Sequence, residues 1–118
     1  MPRFVILEHT TAEGTHWDFM LEQEGKLRTW SLAAEPCPGV EIPARELPPH
    51  RLIYLEYEGE ISGGRGVVKR WDSGRFYELL LSQRDRVQVQ LYGSRICGTV
   101  LLTRKPHEEN SWQFYLLP

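Results

Sequence analysis

Short runs of apolar, β-branched and aromatic residues, separated by Gly, Pro, Ser and Asp, constrain the fold of this chain more than any other feature. Such runs are typical of β-strands, and closing a sheet of many short strands removes the exposed edges that would otherwise aggregate. The sequence therefore predicts an all-β fold, a small closed or nearly closed β-barrel with at most short helical turns. The predicted strands cover residues 3–8, 16–22, 26–33, 51–58, 66–71, 75–81, 86–92, 96–103 and 111–117, with tight-turn signals at 23–26, 72–74 and 92–94.

Two stretches between these strands have distinct compositions. Residues 35–49 contain five prolines. Because proline cannot donate to a strand ladder, we predict an ordered surface loop here, with one helical turn near 44–47. Residues 62–66 read Ser-Gly-Gly-Arg-Gly, which is rich enough in glycine to bring backbone N–H groups close to a ligand. No strand-to-helix context follows them, so the pattern does not indicate a nucleotide-binding P-loop.

Length and cysteine usage fit a single intracellular domain. At 118 residues the chain can bury a core without disulfides, so we predict one domain over residues 1–118. Cys37 and Cys97 form neither a metal-type spacing nor a disulfide framework, and we expect plain thiols in a reducing cytoplasm. There is neither a basic leader nor an apolar run of about 18 residues, which predicts a cytoplasmic protein without a membrane partner.

The charge distribution is asymmetric along the chain. The formal net charge of −2 argues against a protein that coats nucleic acid through many phosphate contacts. Residues 1–60 hold 5 Lys/Arg against 11 Asp/Glu, whereas residues 61–118 hold 9 against 5. An acidic half could bind a cation while a basic half meets phosphate, although solvated surface of both signs explains the same numbers.

A metal site is the main chemical hypothesis that the residues themselves suggest. In a strand over 17–21 the side chains alternate, which places core residues on one face and His16, Asp18 and Met20 on the other. Imidazole and carboxylate suit divalent cations such as manganese, zinc or iron, and His9 on the preceding segment could supply a third ligand. The alternative is a set of hydrogen-bonded surface histidines.

The order of motifs along nearly the whole chain resembles one family, the 3'-phosphoesterase domain of bacterial DNA ligase D. The motifs are Glu8-His9, His16-Trp17-Asp18-Phe19-x-Leu21-Glu22, Gly25-Lys26-Leu27-x-x-Trp30, His50-Arg51-Leu52-x-Tyr54-x-x-Tyr57-Glu58-Gly59-x-Ile61, Trp71-Asp72-x-Gly74, Leu91-Tyr92-Gly93-Ser94-Arg95-Ile96-x-Gly98 and Trp112-x-Phe114-x-Leu116.

The resemblance implies a compact β-barrel that processes the 3' ends of DNA strands during break repair. It implies a divalent metal, typically manganese, with zinc or another transition metal as the alternative. The implied reaction removes a 3'-phosphate or a terminal ribonucleotide and leaves a 3'-hydroxyl. The implied partners are DNA 3' ends of the primer-template type and a DNA ligase or repair polymerase. By position, His9, His16 and Asp18 match the metal ligands, and His50 and Tyr54 match residues that contact the scissile phosphate.

Met20 is the main departure from that family, which usually carries an arginine at this position. Methionine offers no charge, whereas a guanidinium binds phosphate oxygens through charge-assisted hydrogen bonds. The candidate replacements for the missing cation are Arg65, Arg51, Arg28 and Arg3. The spacing from His9 to His16 is also one residue longer than the resemblance predicts.

Two other functions fit parts of the sequence. His16-x-Asp18 with a distant histidine such as His50 is the ligand pattern of non-haem iron oxygenases. A non-catalytic module of the same fold, in which Met20 marks a lost hydrolytic site, would bind DNA ends or a repair partner without turnover.

Overall fold

The computed structural model describes residues 1–72 and 75–118, and the predicted turn at 72–74 lies largely outside them. A 3-10 helix, η1, covers Leu52–Leu55. The strands are β1 (Phe4–Thr11), β2 (Gly14–Gln23), β3 (Lys26–Leu32), β4 (Glu41–His50), β5 (Gly59–Glu60), β6 (Val67–Asp72), β7 (Phe76–Ser82), β8 (Arg86–Tyr92), β9 (Cys97–Arg104) and β10 (Ser111–Leu116).

All described strands belong to one ten-stranded sheet in the order β5-β6-β1-β2-β3-β4-β10-β9-β8-β7. Neighbouring strands in this sheet are antiparallel, and most of them are joined as consecutive hairpins. The all-β prediction is confirmed. Within residues 1–72 and 75–118, no ladder joins β7 to β5, so the sheet curls without closing. In the same residues, the one short helix is far from the length and apolar character that a membrane-spanning helix needs.

The curled sheet encloses one main core. The core side chains come from both ends of the strand order, which places the two halves of the sheet face to face. Aromatic rings fill its centre, with Phe19 in edge contact with Phe114 at 5.4 Å and Trp30 with Trp112 at 5.7 Å between ring centroids. The alternation of apolar residues along the strands therefore points into this interior, as the sequence predicts.

Asp72 links the two ends of the sheet where no ladder does. Its buried carboxylate, at the end of β6, accepts hydrogen bonds from the backbone N–H groups of Ser94, Arg95 and Ile96, at 3.0, 3.1 and 2.8 Å. These residues form the turn between β8 and β9, which belong to the opposite end of the strand order. The carboxylate thus connects the end of β6 to the β8–β9 turn and stabilises the nearly closed sheet.

We expect Gly93→Ala to destabilise the fold by about 2 kcal/mol because this link leaves no room for a methyl group. A Cβ at Gly93 would lie 2.5 Å from Asp72 Oδ2 and 2.7 Å from Phe4 Cζ. Gly98→Ala is the matched control, since its Cβ would meet only Leu116 Cδ1 at an ordinary 3.4 Å. Urea unfolding followed by tryptophan fluorescence measures both, and equal stability of the two variants would contradict the expectation.

Two predicted segments were wrong in secondary structure. Residues 51–58 were expected to be a strand, but the chain forms η1 there and continues in a turn. Residues 35–49 were expected to be a loop with a helical turn at 44–47, but β4 occupies Glu41–His50 between β3 and β10. A proline-rich stretch is therefore a central strand, contrary to the expectation that prolines exclude one.

The positions of the prolines explain how β4 tolerates them. Pro43 accepts a hydrogen bond from Ala33 N at 3.0 Å, just beyond the end of β3 at Leu32, so its missing N–H falls where the partner strand stops. Pro48 and Pro49 fall in a register shift of the β3–β4 ladder, which interrupts pairing there.

A second apolar cluster lies on the outer face of β1 and β2. The segment from η1 to β5 covers this face, which is why four consecutive residues of β1, Phe4 to Leu7, are fully buried on both sides of the sheet. The cover ends part-way along the β1–β2 hairpin, because Leu7 and Asp18 are still buried whereas the next pair on this face, His9 and His16, is half-buried. The buried members of this outer cluster are Val5, Leu7, Met20, Leu27, Leu55 and Val68.

Candidate active site

The β1–β2 hairpin places the three predicted metal ligands on its outer face. His9 pairs with His16, and Leu7 pairs with Asp18, and residues directly opposite in an antiparallel pair project to the same side. The strands extend to Thr11 and Gly14, which leaves only residues 12 and 13 for the turn. The hairpin therefore accommodates the additional residue between His9 and His16, and the two histidines remain directly opposite each other.

Asp18 lies at the centre of this cluster. Its Oδ2 is 3.2 Å from His9 Nδ1, its Oδ1 is 3.2 Å from His16 Nε2, and the two imidazole rings are 4.5 Å apart. One ligand atom from each of the three residues lies within 4.8 Å of the others. The residue is only 3% exposed, so its charge is shielded from water and depends on these two imidazoles.

The ionisation of the cluster reflects this coupling. Burial raises the pKa of Asp18, but the adjacent imidazoles of His16 and His9 outweigh burial and hold it below its ordinary value. The hydrogen bond to Asp18 raises the pKa of His9, against burial and against the positive charge of Arg65. His9 Nε2 donates to the Arg65 carbonyl at 2.7 Å, which leaves Nδ1 as the nitrogen that faces the carboxylate.

The raised pKa of His9 predicts a pH effect on the stability of the chelator-treated protein. An unfolded-state histidine titrates at about pH 6.5, so the contribution of protonated His9 is complete below that pH. It is lost as the pH rises through the higher folded-state pKa. We therefore expect the Tm to fall over this window in EDTA, and the fall to be absent in His9→Asn. A parallel fall in the variant would assign the effect to other groups.

The donor set fits a divalent cation. Asp18 Oδ1 is buried, and among the described residues no donor reaches it with hydrogen-bond geometry, since His16 Nε2 is close but poorly aligned. A buried anionic oxygen without a hydrogen-bond donor lowers the stability of the fold unless a bound cation compensates its charge. His9 already donates its other ring nitrogen to a backbone carbonyl, which is the usual orienting contact of a metal-binding histidine.

A pocket of about 180 Å³ opens beside the cluster. His50 and Tyr54, the predicted phosphate-contacting residues, both line it and contact each other edge-on at 5.9 Å. His50 Nδ1 donates to the Pro48 carbonyl at 2.9 Å, so Nε2 is the nitrogen left for a substrate or water. The structure thus brings His50 and Tyr54 into one pocket with two of the candidate ligands, His9 and Asp18, while His16 joins that cluster from outside the pocket lining. The full lining is Leu7, His9, Asp18, Met20, His50, Tyr54, Ile61, Arg65 and Val68.

The four candidate phosphate-binding arginines occupy different places. Arg65 lines this pocket. Arg51 lines a neighbouring hollow between η1 and residues 60–62. Arg28 is on the opposite, core face of the sheet, where its guanidinium carbon is 4.6 Å from the Trp30 ring centroid. Arg3 precedes β1, beyond the covered end of the outer face.

Sequence reasoning missed the contacts that orient these side chains. The carbonyls of Pro48 and Arg65 fix two histidine rings, and backbone acceptors leave no signature in a sequence. Tyr57 supports Tyr54 in an edge-on contact at 6.0 Å. The three-residue spacing of these tyrosines is typical of one helical turn and could have indicated η1. In the described residues the third candidate ligand beside His16 and Asp18 is His9, and His50 is outside that cluster, which disagrees with the oxygenase pattern.

A family model described as the DNA Ligase D 3'-phosphoesterase domain matches residues 7–104. The chain belongs to this family. The match spans the candidate ligands, His50 and Tyr54, and it confirms the resemblance read from the motifs. Membership places the chain among phosphoesterases, which are hydrolases.

Curated relatives agree with this assignment. The chain is 35% identical over 82 residues to the multifunctional non-homologous end joining protein LigD of Pseudomonas aeruginosa, a match that covers 65% of this chain and 10% of the relative. It is 36% identical over 110 residues to LigD of Mycobacterium bovis and of Mycobacterium tuberculosis, covering 86% of this chain and 14% of each relative. The chain therefore spans a small part of these multifunctional proteins.

Proposed function

We propose that this protein is a metal-dependent phosphoesterase that processes DNA 3' ends in break repair, removing a 3'-phosphate or a terminal ribonucleotide to leave a 3'-hydroxyl. One observation carries the proposal: His9 and Asp18, which cluster with His16, line the same pocket as His50 and Tyr54. The family assignment supports phosphoester chemistry at a 3' end, and the names of the relatives support a role in end joining.

Each group has a chemical task in this proposal. A divalent cation, most simply Mn²⁺, held by His9, His16 and Asp18 would offset phosphate charge and make water a better nucleophile. Asp18 supplies the anionic ligand, and the Arg65 carbonyl keeps His9 in the tautomer that leaves Nδ1 free. In its imidazolium form, His50 would give a proton or a hydrogen bond from Nε2 to the departing or phosphate oxygen, and the Tyr54 hydroxyl would orient the same group.

The test uses a labelled primer-template ending in a 3'-phosphate and another ending in a single ribonucleotide. Incubation with the protein and Mn²⁺ should convert one or both to a 3'-hydroxyl, resolved on a sequencing gel. Parallel reactions with Zn²⁺, with Mg²⁺ and with EDTA establish which cation is needed. Turnover that is unchanged by EDTA would contradict the metal-dependent mechanism.

The Met20 side chain is the observation that favours the non-catalytic alternative. This side chain is 1% exposed and presents an apolar wall to the pocket. Binding to 3'-phosphate ends without conversion, under every cation tested, would favour a DNA-end-binding module over the enzyme.

A further inference from the structure

We infer that Arg65 is the side chain that binds the terminal phosphate, in a site where Met20 supplies no charge. This inference rests on the proposed function and deepens it by naming the residue that recognises the 3'-phosphate. Among the described residues that line the pocket, only Arg65 carries a permanent positive charge. A phosphate dianion beside Asp18 needs such a charge, because that carboxylate would otherwise repel it.

The guanidinium of Arg65 is held in place without being neutralised. Its Nε donates to the Ser62 carbonyl at 2.8 Å, and Nη2 lies 3.4 Å from Ser62 Oγ. Within residues 1–72 and 75–118 it forms no ion pair, and Nη1 has no hydrogen-bond partner. A pre-positioned arginine with a free donor loses little side-chain entropy when an anion binds.

The backbone of the same residue is tied to the candidate metal cluster. The Arg65 carbonyl accepts from His9 Nε2 at 2.7 Å, so residue 65 is fixed next to the first ligand. Gly66 makes this approach possible, because a Cβ there would lie 2.2 Å from the Thr10 carbonyl oxygen and its φ is +96°. The glycine-rich segment is thus packed against β1 beside the cluster, with Arg65 at the pocket.

The other three candidate arginines are worse placed for this task. Arg28 Nε pairs with Glu46 at 2.8 Å on the core face, and Arg3 Nη2 lies 3.5 Å from Glu56. Arg51 lies in the neighbouring hollow, outside the pocket that contains the cluster. It is the serious competitor, because it adjoins His50 in the sequence and the two hollows share Tyr54.

The first test measures binding without turnover. NMR titrations in EDTA compare thymidine 3'-monophosphate with thymidine for the native protein, Arg65→Ala, Arg51→Ala and the exposed control Arg84→Ala. We expect the native protein and both other variants to prefer the phosphate, and Arg65→Ala to lose about tenfold of that preference. Arg65→Lys should retain part of this phosphate preference, since the positive charge remains but the planar guanidinium that can donate two parallel hydrogen bonds is lost. Loss in Arg51→Ala with retention in Arg65→Ala would overturn the inference.

The second test separates phosphate binding from a structural role. Arg65→Ala keeps the carbonyl that contacts His9, so we expect KM for 3'-phosphate ends to rise about tenfold while Mn²⁺ affinity is unchanged. Weaker Mn²⁺ binding with an unaltered phosphate preference would mean that the side chain only positions the loop, and would overturn the inference. If the native protein removes the 3'-phosphate and Arg65→Ala does so with the same KM, the inference fails and the proposed function stands. If the native protein neither prefers nor converts the 3'-phosphate, both fail.

Discussion

Asp18→Asn is expected to lower the rate of 3'-phosphate removal by about 1,000-fold or more, which corresponds to roughly 4 kcal/mol of transition-state stabilisation. The substitution keeps the shape of a side chain that is almost fully buried, so the fold should survive. It removes the one carboxylate of the cluster and leaves the two histidines as its remaining candidate ligands. Mn²⁺ affinity, measured by calorimetry, should therefore fall together with the rate.

Asp85→Asn is the matched control, because Asp85 is exposed in the turn between β7 and β8. It loses the same charge without touching the pocket, so its rate and its Mn²⁺ affinity should equal those of the native protein. If Asp18→Asn retained activity within about threefold of native, the proposed ligand set would be wrong, since losing a metal-ligating charge costs far more.

The face that carries the site could be predicted because β-strands alternate with a period of two. This period alone places Asp18 and Met20 on the opposite face from the core residue between them, and the structure shows this separation. The pairing of His9 with His16 follows once the turn is placed at residues 12 and 13. Ala-Glu is not a typical turn pair, so the extension of both strands through Thr10 and Thr15 could not be predicted from these residues.

The parts that could not be predicted depend on tertiary context. The prolines of β4 are acceptable only because one lies beyond the end of β3 and two fall in a bulge, and both conditions belong to neighbouring strands. The apolar run at 51–58 has strand-like composition, yet the outer face of β1 and β2 needs a cover, and η1 provides Leu55 for it. The choice among four arginines likewise depends on which loop packs beside the cluster.

His50→Asn is expected to lower kcat by about 100- to 1,000-fold with little change in Mn²⁺ affinity, because His50 contacts the pocket but is outside the ligand cluster. Hydrolysis of a 3'-phosphate expels a sugar alkoxide, a poor leaving group that needs a proton as it departs. With Nδ1–H committed to the Pro48 carbonyl, the imidazolium form of His50 can supply this proton from Nε2. His107→Asn is the control, since His107 is exposed and its φ of +63° is one that asparagine tolerates.

Changing the leaving group distinguishes between two possible roles of His50. A strand whose bridging 3'-oxygen is replaced by sulfur expels a thiolate, which departs without a proton at neutral pH. If His50 is the proton donor, His50→Asn should lose much less activity on this strand than on the normal 3'-phosphate. If His50 instead only hydrogen-bonds a non-bridging phosphate oxygen, the two strands should lose activity by the same factor, because that contact is identical in both. Rates of His50→Asn relative to native on the two strands therefore separate acid catalysis from phosphate binding.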